Sequence, residues 1–169
     1  MDTVSPHAPW SYLLQIPHNP RAPRVARMTL RAVLAGHGMD ELADTAELVA
    51  CELVTNAYRH SDGPATLRLR RMEEGWLRIS VWDTNPHIPA PFDRPPGMRQ
   101  PAPAPSDADS GRGLWLVHTY ADNWGGYPLG DDLFGRNGKL LWCELAPRAQ
   151  PSLTSCASTT AWGSTGAVK

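Results

Sequence analysis

The sequence predicts an α+β fold, a two-layer sandwich in which helices cover one face of a mixed or antiparallel sheet. Three observations predict it. Residues 65–70 and 77–81 alternate apolar with polar side chains, the period of half-buried strands. The stretch from about residue 40 to residue 60 instead repeats its apolar residues at helical spacing. The elements follow as strand, two helices, two strands, loop, helix, two strands, an order that packs helices against one side of a sheet.

The elements take their bounds from local chemistry. Residues 10–16, WSYLLQI, read as a short strand ended by Pro17 and Pro20. RAPRVARMTLRAVLAGHGM then carries Val25, Leu30, Val33 and Leu34 at helical spacing, with Gly36 and Gly38 as stop signals. A second helix is expected from about Asp40 to about His60. PATLRLRRM sets Ala65, Leu67 and Leu69 against Thr66, Arg68 and Arg70, and WLRISVWD sets Leu77, Ile79 and Val81 against Arg78 and Ser80. The EEG between them turns the chain, so the two strands form an antiparallel hairpin. Arg68, Arg70, Arg71 and Arg78 are then expected on an outer face in water.

From Thr84 to Ser110 regular patterning vanishes into TNPHIPAPFDRPPGMRQPAPAPSDADS. Proline at this density excludes ladders and helices, and a loop of this length acts as a lid, a binding loop or a disordered insert. GRGLWLVHTYADNWG restores helical spacing through Leu114, Val117 and Ala121. Two more strands are expected near Trp124–Pro128 and over 138–145, GKLLWCEL. The domain so delimited spans residues 10–146, with its lid loop at 84–110. It follows a tail of residues 1–9 and precedes a Ser/Thr/Gly/Ala-rich tail, 147–169, whose composition predicts disorder.

A chain of 169 residues suffices for one domain with a real core. Its formal charge of −1 lacks the basic excess that phosphate backbones demand, which excludes nucleic acid as the main partner. Cys51, Cys143 and Cys156 are isolated and odd in number, against a disulfide framework or structural zinc and for a reducing cytoplasm. MDTVSPHAPW has no basic start leading into an apolar run, and no stretch has the apolar length of a membrane span.

ELVTNAYRHS, residues 52–61, spaces Glu52, Asn56 and His60 four apart. With Val49 at zero on a helical wheel, Leu42, Ala46, Leu53 and Ala57 fall between about +20° and +80°. Glu52 falls near about −60°, Asn56 near about −20° and His60 near about +20°. The trio thus continues the inward apolar stripe, where an ionised carboxylate is rare without a partner or a metal. Taken alone, a satisfied core network with His60 at the helix C-terminus stays open beside a polar cleft floor. Asp83 ends the second hairpin strand where the long loop begins, either starting a turn or accepting a ligand's amino group. SGRGL, 110–114, opens the third helix, as a flexible joint or as free N–H groups that a phosphate approaches closely.

These motifs together resemble the GHKL (Bergerat-fold) ATPase superfamily, and within it the bacterial anti-sigma-factor serine/threonine kinases, over roughly Trp10 to Leu145. ELVTNAYRH is similar to the family's N-box, VWDTNP stands at its adenine box, and SGRGL resembles its second glycine box. The resemblance implies ATP and Mg²⁺ under a mobile lid. Asn56 would ligate Mg²⁺, Asp83 would bond the adenine amino group, and Gly111 and Gly113, ahead of Leu114, would admit the phosphates. Glu52 would be the catalytic base, with His60 and Arg112 supporting the phosphate end. Helical i, i+4 spacing puts metal ligand and base about one turn apart on one wall.

One departure stands out. Asn85 and His87 occupy positions where the family has glycines, Asn being the residue that tolerates a left-handed backbone and His adding bulk that weakens adenine binding. The implied function is an ATP-dependent cytoplasmic regulator of transcription that binds a sigma factor or phosphorylates an antagonist protein, with a homodimer as the implied assembly. Two other functions compete: a nucleotide-binding interaction module without phosphotransfer, and, more remotely, a metal hydrolase using His60, Glu52 and Asp83. For the last no short ligand motif is present.

Overall fold

The computed structural model describes residues 8–95, 112–130 and 137–148. The N-terminal tail to residue 7, loop residues 96–111, Cys156 and the C-terminal tail from residue 149 lie outside the described residues. β1 (Trp10–Ile16) is stopped by Pro17, which has no N–H to give a ladder. α1 (Ala22–Gly36) carries Pro23 in its first turn, where that missing donor is not needed. A single 3₁₀ turn at Asp40–Leu42 leads into α2 (Ala43–His60), so the expected second helix starts as a tighter coil and then relaxes.

β2 (Ala65–Arg71) and β3 (Leu77–Asp83) form the expected hairpin, with Thr66 opposite Trp82 and Arg71 opposite Leu77. Glu74 at φ 58° and Gly75 at φ 81° reverse the chain between them. α3 (Arg112–Tyr120), β4 (Asn123–Leu129) and β5 (Gly138–Leu145) complete the order. The sheet runs β1-β2-β3-β5-β4 and every neighbouring pair is antiparallel. The fold is therefore α+β: three helices packed against a five-stranded, open antiparallel sheet, consistent with a Bergerat fold.

α2 is the centre of the helical layer, packed on α1, α3, β2 and β3. Its stripe of Leu42, Ala46, Val49, Leu53 and Ala57 is buried as the wheel predicts, against Leu67, Leu69, Ile79, Val81 and Leu141 of the sheet. α1 differs from expectation. Its buried row is Ala22, Ala26, Leu30 and Leu34, whereas Val25 is exposed and Val33 only half-buried. The i, i+4 spacing of these four residues puts them on one face of the helix, and that face is the buried one. On the solvent side Arg31 bridges Asp44 and Glu47 of α2, and Arg27 adds a second contact to Glu47.

The outer sheet face is only partly as expected. Arg68 and Arg70 are exposed, and Arg78 lies over the Trp142 ring at 4.1 Å from its centroid, beside Glu144 at 3.5 Å. Arg71 departs from its expected place in water: strand alternation turns it to the helix side, where it is buried. The stretch 84–95 forms no helix or strand, as its proline content predicts, yet two of its side chains reach the core. Phe92 is buried in the core and Ile88 packs against it, seated over Gly126 of β4.

Because Leu53 is fully enclosed, Leu53→Ala removes packing and leaves a cavity. It should cost about 3 kcal/mol, whereas Met28→Ala on the exposed side of α1 should stay within about 0.5 kcal/mol. Urea denaturation of both variants checks this contrast.

Candidate functional site

Helical geometry sets Glu52 and Asn56 one turn apart on the edge of α2 that adjoins its buried stripe. Asn56 is buried, and its side-chain oxygen Oδ1 has no hydrogen-bond partner. A buried acceptor left unsatisfied costs about 1–3 kcal/mol, so this oxygen is poised for a donor or a cation. Glu52 is half-buried, and its carboxylate lies against the backbone of Gly113 in the first turn of α3. A Cβ at residue 113 would overlap Oε2 and stand 2.8 Å from the carboxyl carbon. The glycine is thus more than a flexible joint; it makes room for the acid. Leu114 is buried and anchors α3 to the core, Arg112 is exposed at the helix start, and Gly111 lies outside the described residues.

The other end of the site is a knot of hydrogen bonds where β3 stops. Asp83 is the last inward-facing residue of β3 and is 1 % exposed. Lys139 of β5 stands opposite it in the ladder, is equally buried, and donates from Nζ to Asp83 Oδ1 at 2.9 Å. The Asn85 N–H donates to the same Oδ1 at 2.8 Å, and the Asn85 carbonyl accepts from Lys139 at 3.2 Å. The Asn85 side chain is used twice more: Oδ1 accepts the His87 N–H at 2.9 Å, and Nδ2 donates to the His60 carbonyl at 2.6 Å. Two successive Asx turns therefore lead the chain out of β3, and one carboxamide staples that exit to the C-terminal end of α2. Ser61 and Thr84 add a hydroxyl contact of 2.9 Å between the same two segments.

The structure corrects one expectation here and narrows two readings that the sequence left open. His60 does not face inward: it ends α2 beyond the packed stripe and is exposed, contributing its carbonyl to Asn85. Asn85 does not adopt the left-handed backbone, since Glu74 is the sole non-glycine residue with positive φ among those described. Its side-chain bonds close the turns that glycine would have closed by conformation. The hydrolase site of His60, Glu52 and Asp83 does not assemble, because among the described residues no group of three His, Cys, Asp or Glu side chains is placed to hold a metal.

Lys139 is the residue that sequence reading missed. It is one of only two lysines among 16 basic residues, but its partner emerges only from a register linking positions 56 apart. Burial pushes the thiols of Cys51 and Cys143 up, which favours their protonated forms. A groove of about 580 Å³ lined by Leu13, Arg68, Trp82 and Leu140 opens on the outer sheet face. Strand alternation sends Trp82 to that side and Asp83 to the other, so the groove is separate from the polar line. Among the described residues no helix is long and apolar enough to cross a membrane.

Along α2, Glu52 and His60 are eight residues apart, which is about 12 Å of helix. The polar line therefore runs from the α3 start to the Asp83 knot. A model of the histidine kinase-like ATPase domain matches residues 16–128. An uncharacterized protein of Streptomyces coelicolor is 37% identical over 104 residues, covering 60% of this chain and 84% of its own length.

Gly113→Ala should destabilise the fold by about 1–3 kcal/mol through overpacking against Glu52. In a Glu52→Ala background most of that penalty should vanish, a coupling that thermal melts of the four proteins in a double-mutant cycle measure directly.

Proposed function

The chain belongs to the histidine kinase-like ATPase domain family, and on that premise we propose that it binds ATP with Mg²⁺ along α2 and transfers the γ-phosphoryl group to a serine or threonine of a partner protein. The observation that carries this proposal is the buried, partnerless Oδ1 of Asn56, one helical turn from a carboxylate pressed onto the start of α3. An oxygen donor held in a buried wall suits a hard cation, which takes its remaining ligands from water and phosphate. When bound, Mg²⁺ supplies neutralisation of charge on the phosphate oxygens.

The chain's own groups divide the remaining work. Asp83 receives the exocyclic amino group of the base at the far end of the line. The backbone N–H groups that open α3 meet the phosphates, as helix N-termini do with anions. Glu52 accepts the proton of the attacking hydroxyl as that oxygen bonds to the γ-phosphorus. The bond from that phosphorus to the β–γ bridging oxygen breaks, and ADP leaves with the electron pair. Positioning and charge stabilisation, more than covalent chemistry, lower the barrier of such a transfer.

The resemblance to anti-sigma-factor kinases supports a sigma factor or its antagonist protein as the partner, in the control of transcription. A binding module without transfer would use the same base and metal ends of the crevice but would have no need of Glu52 as an acid–base group.

Calorimetry tests the binding half, and transfer of labelled γ-phosphate to a partner protein tests the other. The wild type should bind ATP in the presence of Mg²⁺, and Asn56→Ala should weaken that binding about tenfold or more, while ATP without Mg²⁺ distinguishes the variants little. No ATP binding by the folded wild type would sink the proposal. Glu52→Gln should keep ATP affinity within about threefold and lower phosphoryl transfer to the partner by about 100-fold or more. Persistence of transfer in that variant would remove Glu52 from the role of base.

A further inference from the structure

The Asp83–Lys139 pair is built more tightly than base binding by one carboxylate requires. Both residues are 1 % exposed, they face each other across the β3–β5 ladder, and the ammonium is held at two points, Asp83 Oδ1 and the Asn85 carbonyl. Oδ1 is also claimed by the Asn85 N–H. The start of β5 is pressed close for this purpose: a Cβ at Gly138 would overlap the Asp83 carbonyl oxygen. Lys139 is the one lysine among the described residues, whose other Lys/Arg side chains are all arginine, and its compact ammonium meets Asp83 as a point charge where arginine would present a planar fork.

We propose that Lys139 is the positioning residue that sets base selectivity, by locking Asp83 as an ionised group that only accepts hydrogen bonds. The proposal rests on the ATP reading above and adds to it a residue acting through Asp83. A carboxylate has no proton to give, so the base edge in front of it must bring a donor. The 6-amino group of adenine does so. The 6-oxo group of hypoxanthine presents a second acceptor and is repelled. Remove the ammonium, and the carboxylate becomes an unpaired buried charge, which is relieved by taking up a proton. The neutral acid donates as well as accepts, and a 6-oxo purine becomes acceptable in the same place.

The test is calorimetric affinity of ATP and inosine triphosphate, each with Mg²⁺, for wild type, Lys139→Met and Lys139→Arg. The wild type should prefer ATP strongly. Lys139→Met should narrow the ATP-to-inosine-triphosphate ratio by about tenfold or more, chiefly through tighter binding of the inosine nucleotide, and Lys139→Arg, which keeps the charge, should hold the ratio within about threefold. A merely structural lysine would lower both affinities alike and leave the ratio untouched, and that outcome overturns the proposal. Failure of the wild type to bind either nucleotide would instead sink the ATP reading beneath it. If Lys139→Met does not fold, Lys139→Gln, which keeps hydrogen-bond donors without the charge, decides: a narrowed ratio supports the proposal and a wild-type ratio overturns it.

Discussion

A polar atom taken out of water must be given a partner, and the inward edge of α2 leaves one without. Asn56 Oδ1 is enclosed by the same packing that buries Leu53 and Ala57, residues of the adjoining stripe. Such a group is tolerated only where its cost is offset elsewhere, and here the offset comes from a large apolar contact between α2, the sheet and two flanking helices. The rigidity of that layer is what holds the amide in place while it lacks a partner. A looser helix would rotate the group toward water and lose the site.

The two ends of the polar line are secured by different means. At the α3 end the device is absence: with no side chain at Gly113, the Glu52 carboxylate can lie directly on the backbone of a neighbouring helix. At the Asp83 end the device is saturation, where one carboxylate oxygen, one carboxamide and one ammonium share five hydrogen bonds. The first arrangement leaves a charged group close to helix N–H groups that attract anions. The second fixes the direction of the hydrogen bonds at the end of β3.

The long loop belongs partly to this end of the line. Its first residues leave β3 through two Asx turns, and Ile88 and Phe92 then return to the core over Gly126. The loop root is thus anchored on the sheet beside the Asp83 knot. Departure from the family's glycines at Asn85 and His87 is therefore compensated in kind: side-chain hydrogen bonds supply the turns that backbone freedom would otherwise allow.

Local periodicity determined most of the architecture by itself. The apolar stripe of α2, the β2–β3 hairpin and the last two strands were legible because burial repeats with the period of the backbone. Glu52, Asn56 and Asp83 were legible for the same reason, as polar residues at positions where that period demands apolar ones. Pairing across the chain decided the rest. The role of Lys139 depends on a strand register that joins residues 56 positions apart, and no local pattern encodes such a register. The exposure of His60, and the rotation of α1 that buries Ala22 and Ala26 while leaving Val25 outside, depend on how the helices meet the sheet and one another. These are properties of distances between elements, set by packing of the whole molecule, whereas a sequence pattern reports only on the element that carries it.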